Sequence, residues 1–277
     1  MNMKRLVYLS FGAKFLIALF FLVLIWVNYL LSQMSSSPTE ECYNKNAKYV
    51  FDQSASLESI KREVRNFPEV LNACSRLSAE QGSGWTPLMY AAQSVNLERV
   101  KFYLQPEHFK PPYNLQINKI SRNNMGETAL HTAVQNATFP PQRSRTSYDI
   151  ITLLLDKGAN VNALDNDMNT PLHKTFAVYQ EDRRRAIIQL LIDRGADINA
   201  QNKMGVTFMH LAVQNQASPT ISWFMKKYGN RIDPFLKSQE QLYPGKMLTF
   251  EKLADLIGFD QTKSAVNEGM KYITKAR

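Results

Sequence analysis

The chain has 277 residues, which is enough for one or two domains with a sizeable core. Hydrophobic residues make up 44% of it and charged residues 21%, a composition that excludes a globally disordered protein. The net charge of +9 comes without a long basic run or basic–aromatic alternation, which argues against nucleic acid as a partner and favours acidic proteins or lipid headgroups.

The segment Phe11–Leu31 is predicted to be a single transmembrane helix. From Phe15 to Leu31 every residue is apolar or aromatic except Asn28. At 1.5 Å per residue, the helix would span about 30 Å, the thickness of a bilayer's hydrocarbon core. No small-x-small cleavage site follows it, so an uncleaved anchor is favoured over a signal peptide.

The charges around this helix predict its orientation. Lys4, Arg5 and Lys14 lie at its start, whereas Glu40 and Glu41 follow it. Because basic residues favour the cytoplasmic side, we expect residues 1–10 in the cytoplasm and the rest of the chain outside it. Residues 32–42 are predicted to form a polar linker.

Cys42 and Cys74 are the only cysteines, too few for a disulfide framework and without the spacing of metal ligands. Both follow the membrane segment, so a disulfide would form if that side is oxidising. We expect two unpaired cysteines, with the disulfide as the alternative.

The chain after residue 42 contains an internal repeat. Four segments begin alike: Gly84–Ala92, Gly126–Ala133, Asn169–His173 and Gly205–Ala212. Each is followed by a second predicted helix: Leu97–Leu104, Tyr148–Leu155, Ala186–Ile192 and Ile221–Met225. Thr86, Thr128, Thr170 and Thr207 occupy the position of a helix N-cap, where a hydroxyl accepts from open backbone amides.

This pattern of G-x-T-P-L-H-x-A-A, second helix and G-A-D-V-N-A resembles the ankyrin repeat, over about residues 46–233. The resemblance implies an all-α ankyrin-repeat solenoid of stacked helix pairs with short hairpin loops. We expect an N-terminal capping repeat over 43–80, four repeats over 81–233, and C-terminal capping helices over 234–277.

The repeats are longer than the family's 33 residues. Thr86 to Thr128 and Thr128 to Thr170 are each 42 residues, and Thr170 to Thr207 is 37. We assign the additional residues to loops at Pro106–Tyr113, Thr138–Thr146 and Tyr179–Arg185. Met168 stands where glycine is usual.

His131, His173 and His210 recur once per repeat at one motif position, where the family uses the imidazole to bond neighbouring loops. Residues stacked one per repeat lie about 10 Å apart, too far to share a zinc ion with ligands near 2 Å. No catalytic or phosphate-binding motif is present. We therefore expect no metal, no cofactor and no enzyme activity.

The resemblance implies that a partner protein contacts the hairpin tips and the first helices. The tip residues are Trp85, Asn124, Met125, Glu127, Asn166, Asp167, Asn169, Lys203, Met204 and Val206. The first-helix residues are Gln93, Gln135, Val178 and Gln214. Trp85 is either an aromatic anchor for the partner or a residue packed on the N-terminal cap.

Five arginines are predicted to form a basic ridge on the edge opposite the hairpins. They are Arg143, Arg145, Arg183, Arg184 and Arg185, from two successive insertions. Such a ridge would hold an anionic lipid or an acidic protein, unless it is simply solvated.

The leading function is a membrane-tethered, non-enzymatic scaffold for a protein partner. The alternatives are a host-directed bacterial effector that uses its repeats at a host membrane, lipid recognition by the basic ridge, and an enzyme site in the C-terminal segment. The charge rule places the repeats outside the cytoplasm, although ankyrin domains are more familiar in the cytosol.

Overall fold

The computed structural model describes residues 47–75, 84–105, 115–123, 125–137, 141–239 and 247–274. These residues all belong to one unit of the chain, Asn44–Arg277. The predicted membrane helix Phe11–Leu31, its flanking charges, the linker and Cys42 lie outside them. Among the helices that the structure does describe, none is long and apolar enough to cross a bilayer.

The described chain is mostly helical and ends in a strand pair followed by two helices. In chain order the helices are α1 (Leu57–Asn66), α2 (Pro87–Gln93), α3 (Leu97–Tyr103), α4 (Ala129–Gln135), α5 (Pro141–Asp156), α6 (Pro171–Lys174), α7 (Glu181–Asp193), α8 (Phe208–Gln214), α9 (Ser218–Tyr228), α10 (Phe250–Ile257) and α11 (Asp260–Thr274). Short 3-10 turns cover Pro68–Asn72, Thr175–Ala177 and Gly229–Arg231. Strands β1 (Lys237–Gln239) and β2 (Met247–Thr249) pair antiparallel, with Ser238 opposite Leu248.

The all-α expectation is therefore corrected by β1 and β2. They occupy the hairpin before α10, where the chain runs extended on both sides long enough to form a three-residue ladder. The helices from α2 onward form five pairs, α2–α3, α4–α5, α6–α7, α8–α9 and α10–α11, which we call repeats 1 to 5.

A threonine precedes the first helix of every repeat, and its side chain explains why the helix begins there. In repeat 2 the Thr128 hydroxyl oxygen accepts the backbone N–H of His131 at 3.5 Å, and the Thr128 backbone N–H donates to His131 Nδ1 at 3.2 Å. Thr249 caps repeat 5 in the same way, accepting from Lys252 N at 3.4 Å. The hydroxyls of Thr86, Thr128, Thr207 and Thr249 thus satisfy amides that a helix start leaves open, whereas Thr170 bonds its helix through its own backbone N–H, which donates to His173 Nδ1 at 3.1 Å.

Two of the predicted loop insertions prove to be helix. Helix α5 begins at Pro141 and α7 at Glu181, so residues assigned to loops at Thr138–Thr146 and Tyr179–Arg185 lie mostly in the first turns of these helices. The physical reason lies in the residues that start them. Proline suits a first helical position, and Glu181 and Asp182 are favourable in a first turn.

The core lies between consecutive repeats and is built from both helices of each pair. Ile150, Ile151 and Leu154 of α5 are fully buried, and Phe208 packs against Phe224 with ring centroids 4.6 Å apart. Truncating one such aliphatic side chain to alanine costs about 2–5 kcal/mol. The stack therefore depends on neighbouring repeats to bury its apolar faces.

A ladder of asparagine side chains holds successive repeats at a fixed spacing on the side of the second helices. Asn162 Nδ2 donates to Gly195 O at 3.0 Å, and its Oδ1 accepts the N–H of Asp197 at 2.9 Å. Asn118 makes the same two bonds to Gly158 O and Asn160 N, and Asn199 makes them to Arg231 O and Asp233 N. Each amide satisfies loop groups of the next repeat.

Buried charges fix the segment before repeat 1. The Glu63 carboxylate accepts the backbone N–H of Val50 at 2.7 Å and that of Tyr49 at 2.9 Å. The Arg99 guanidinium donates to the carbonyls of Asp52 and Ala55 at 2.8 and 2.6 Å. Charged hydrogen bonds of this kind are about twice as strong as neutral ones.

Cys74 is buried and disulfide-bonded, so the expectation of two unpaired cysteines is wrong. Its position explains why the sulfur is buried. It follows the 3-10 turn Pro68–Asn72 and is enclosed with Leu71 and Ala73, where an uncharged sulfur is favourable.

Candidate functional site

The loops that precede the N-cap threonines form a row along one edge of the stack. We call them the fingers: residues 84–85, 120–127, 164–169, 201–206 and 247–248. In three of them an Asx side chain closes the turn, since Asn123, Asp165 and Asn202 each accept two backbone amides from residues two to four positions ahead. Such turns are rigid, because the side chain replaces a missing backbone partner.

Backbone hydrogen bonds join the first four fingers into a continuous ribbon, and the His210 side chain holds the fifth finger through Leu248 O. Arg122 N donates to Gly84 O at 3.0 Å. Asn166 N donates to Met125 O at 2.8 Å, and Lys203 N to Asp167 O at 2.9 Å. The tips of successive fingers therefore have fixed positions relative to one another.

The three repeat histidines lie beneath the fingers and have structural roles. Each Nδ1 accepts the N–H of its own N-cap threonine, and each Nε2–H donates to the carbonyl just before the next N-cap threonine. These second bonds are all 3.0 Å: His131 to Asn169, His173 to Val206, and His210 to Leu248. The predicted role of the imidazoles in bonding neighbouring loops is confirmed.

This hydrogen bonding requires the neutral imidazole, because Nδ1 is an acceptor. Burial lowers the pKa of His131 and His173 below the ordinary 6.5, although the carbonyls that they contact oppose the effect. Among the residues described, no group of three His, Cys, Asp or Glu side chains is placed to hold a metal ion.

A buried ion triad links the second and third fingers. Lys174 Nζ lies 2.9 Å from Glu127 Oε1 and 2.8 Å from Asp165 Oδ2, and the three side chains are 17%, 6% and 2% exposed. Burial raises the pKa of Asp165, but hydrogen bonds from Lys174 and Asn169 outweigh it and hold the pKa below the ordinary 3.8. The triad fixes the finger bases without being available to a partner.

Several predicted contact residues are exposed as expected. On the fingers Met125, Asn166, Asp167 and Lys203 face solvent, and on the first helices Gln135 does. Four more are partly exposed: Gln93, Asn169, Met204 and Gln214. Asn124 lies outside the described residues.

Three predicted contact residues are buried, which corrects their assignment. Glu127 is held by Lys174, and Val206 lies under its finger with its carbonyl bonded to His173. Val178 is 0% exposed because α6 gives way to the tighter 3-10 turn Thr175–Ala177, which rotates the following residue into the core.

Trp85 packs towards the N-terminal segment. Its ring meets that of Tyr90 edge-on at 5.4 Å, and Tyr90 in turn meets Phe51 at 5.6 Å. Of the two interpretations of Trp85, these contacts support packing on the cap.

The basic ridge does not form as one free surface. Arg184 and Arg185 both pair with Glu181, at 3.1 and 2.8 Å, and Arg184 also donates to Val178 O. Arg183 lies within reach of Ala137 O at 3.4 Å. Arg143 and Arg145 are in the first turns of α5, and their side chains lie outside what the structure describes.

Two exposed methionines on the fingers escaped the sequence prediction. Met168 is 42% exposed and Met247 is 55% exposed. Met125, at 53%, and the partly exposed Met204 lie on two other fingers of the same row. Met168 has φ +61°, close to Gly126 at +63°, so it keeps the turn geometry of the glycine that it replaces. A methionine in each of four successive fingers was the signal available in the sequence.

Comparison with known proteins identifies the repeat. The family model described as ankyrin repeats (3 copies) matches residues 64–165 and 142–236, together more than half of the chain. The chain is 30% identical to the probable 26S proteasome regulatory subunit p28 of Saccharomyces cerevisiae over 151 residues, 54% of this chain and 58% of that protein.

It is also 31% identical to BCL-6 corepressor-like protein 1 of Homo sapiens over 136 residues, 49% of this chain and 6% of that protein. The chain thus spans less than two thirds of either relative. With five stacked helix pairs, N-cap threonines and bonding histidines beneath the fingers, and a family match over more than half its length, this chain belongs to the ankyrin-repeat family.

Proposed function

We propose that this protein is a membrane-tethered scaffold that binds a partner protein along the finger row and the adjoining ends of the first helices. Ankyrin repeats imply protein–protein interaction, and proteins of this family are typically non-catalytic. The two relatives bear the names of a regulatory subunit and a corepressor. No catalytic step is assigned to the described residues.

The observation that carries the proposal is the row of methionines on cross-linked fingers. Met125, Met168, Met204 and Met247 present flexible, polarisable side chains on a backbone whose loops are held together by hydrogen bonds. Methionine-rich surfaces adapt to apolar partners, and a rigid backbone lowers the entropy lost on binding. Exposed Asp167 and Lys203 supply a polar rim.

Site-specific photo-crosslinking in cells tests the contact surface. A benzophenone amino acid at position 125, 168 or 204 is expected to capture one discrete partner. The same group at Ala186, an exposed residue of the second helix α7, is the matched control. With the purified partner, the Met125→Glu/Met168→Glu double variant should weaken binding at least about tenfold, since each anchor contributes roughly 1 kcal/mol or more.

The opposite pattern, with crosslinks at position 186 and none at the fingers, would place the partner on the second helices and refute the assignment. Unchanged affinity in the double variant would do the same.

Tethering and orientation form the second part of the proposal. They rest on the apolar segment Phe11–Leu31 with basic residues before it. The disulfide at Cys74 adds support for an oxidising compartment, because disulfides persist there and are rare in the cytosol. A compartment-sensitive reporter after Arg277, combined with protease protection, should report a C-terminus outside the cytoplasm. A cytoplasmic reporter signal and a reduced Cys74 would overturn the orientation.

A further inference from the structure

A cavity of about 540 Å³ lies at repeat 5, between the chain from Pro234 to β1 and the two helices α10 and α11. Its apolar lining includes the buried Ile273, the partly buried Met270 and the Phe235 ring, which is 66% exposed. Lys237 and Lys252 line it as well, together with Glu251. The volume is within the roughly 300–1,000 Å³ of ligand-binding clefts.

The position of Lys252 in its repeat shows what kind of group the cavity is built to receive. Lys252 lies three residues after the N-cap Thr249, just as His131, His173 and His210 lie three residues after theirs. In repeats 2 to 4 that side chain donates to the backbone carbonyl of the following finger, at 3.0 Å each time.

The chain that those histidines hold is extended at the held carbonyl or directly after it, and Leu248 itself lies in β2. It leads directly into an N-cap threonine with φ and ψ of −88° and 167° at Thr170, and −100° and 172° at Thr207. The cavity beside Lys252 is therefore the place, in the repeat pattern, of an extended segment.

The charge of the cavity lining indicates which residues the bound segment carries. A neutral imidazole donor suits a carbonyl, whereas an ammonium group prefers an anionic acceptor. Neither Lys237 nor Lys252 forms an ion pair with any of the residues described, and both side chains are exposed. Glu251 is the one acidic residue among the described residues of the lining, where the two lysines outnumber it.

We propose that this cavity binds an extended, acidic segment of a partner protein. A carboxylate of the segment lies between Lys252 and Lys237, and an apolar side chain of the segment packs against Phe235, Met270 and Ile273. The site is separate from the methionines of the finger row and does not depend on their role.

Fluorescence anisotropy with a labelled peptide tests this on the full 277-residue chain. The probe is acetyl-Glu-Val-Glu-Leu-Glu-amide, and its matched control is the same peptide with glutamine in place of glutamate. We expect saturable binding of the acidic peptide, at least fivefold tighter than that of the glutamine peptide and weakened by salt.

The variants separate the cavity from general surface charge. Lys252→Glu should weaken the peptide at least tenfold, and Phe235→Ser at least threefold. Lys226→Glu removes an exposed lysine of α9 outside the cavity and should change affinity less than twofold. Since Lys252 is exposed and makes no side-chain bond in the described structure, circular dichroism of its variant should match the parent.

Absence of saturable binding, equal binding of the glutamine peptide, or equal losses in Lys252→Glu and Lys226→Glu would each overturn the proposal. Sedimentation that shows chains associating through the cavity, abolished by Lys252→Glu, would replace the peptide with a second copy of the chain. We expect Met125→Glu to leave the affinity for the peptide unchanged. The peptide result can therefore be interpreted even if the proposal for the finger row fails.

Discussion

Replacing Lys174 with methionine is expected to be the most damaging single change at the base of the fingers. The variant leaves Glu127 and Asp165 as two buried carboxylates without their cation. Removing one partner of a buried ion pair costs about 3–5 kcal/mol. Asp165 keeps the hydrogen bonds from Asp167 N, Asn169 N and Asn169 Nδ2, so we expect the lower end, about 3 kcal/mol.

Urea unfolding of the full-length protein, followed by circular dichroism, measures this. With a slope of about 3 kcal/mol per molar urea, the midpoint should fall by about 1 M. Lys203→Met, which removes an exposed finger lysine that forms no ion pair among the described residues, is the control and should shift the midpoint by less than about 0.2 M.

A rescue experiment identifies the cause of the loss. Adding Glu127→Gln and Asp165→Asn to Lys174→Met removes both uncompensated charges and should restore more than half of the midpoint shift. The single variant should also gain stability relative to the parent as the pH falls from 7 to 5, because its unpaired carboxylates protonate more readily. A loss under about 1 kcal/mol for Lys174→Met would refute the reasoning that the triad is buried and coupled.

The remaining predictions concern the histidines and the finger turns. Because burial lowers the pKa of His131 and His173 below 6.5, their contribution to stability is complete above that pH and declines as the pH falls below it. Replacing both with glutamine should therefore reduce the dependence of the melting temperature on pH between 7.5 and 5.5, as measured by thermal unfolding. Gly126→Ala should destabilise by about 1 kcal/mol or more, because φ is +63° and an added Cβ would collide with the Asn166 side chain; calorimetry measures the shift, and an unchanged melting temperature would contradict it. Met168→Gly should raise the free energy of unfolding by about 0.5–1 kcal/mol, because glycine adopts a positive φ without strain, and should lower the affinity for the partner protein. A variant that loses both stability and affinity would show that Met168 supports the fold instead.

The parts of the fold that sequence predicts well are those set by local chemistry. Thr86, Thr128 and Thr207 are recognisable as N-caps because hydroxyl, following helix and repeat spacing agree, and the structure places all three there. The role of the histidines is equally predictable, because one imidazole at the same position of each repeat indicates a bond between neighbouring loops.

The misplaced residues depend on contacts that the motif does not contain. Glu127 occupies a tip position but is drawn inward by Lys174, which lies 47 positions further along the chain. Val178 follows a helix only four residues long, and no family pattern signals the 3-10 turn that buries it. The two inserted segments are helical because Pro141 and Glu181 begin helical turns, which the length of an insertion alone does not reveal.

The histidine bonds give the stack a direction, because each imidazole reaches only towards the repeat that follows. Repeat 1 has Met89 in this place, and its sulfur accepts the N–H of Thr86 at 3.4 Å, in the cap of its own helix, with no bond to repeat 2 among the described residues. The step from repeat 1 to repeat 2 therefore lacks a bond present at each of the next three steps. Under a pulling force along the stack, this seam should part first, releasing the N-terminal segment and repeat 1 as one piece while repeats 2 to 5 stay assembled.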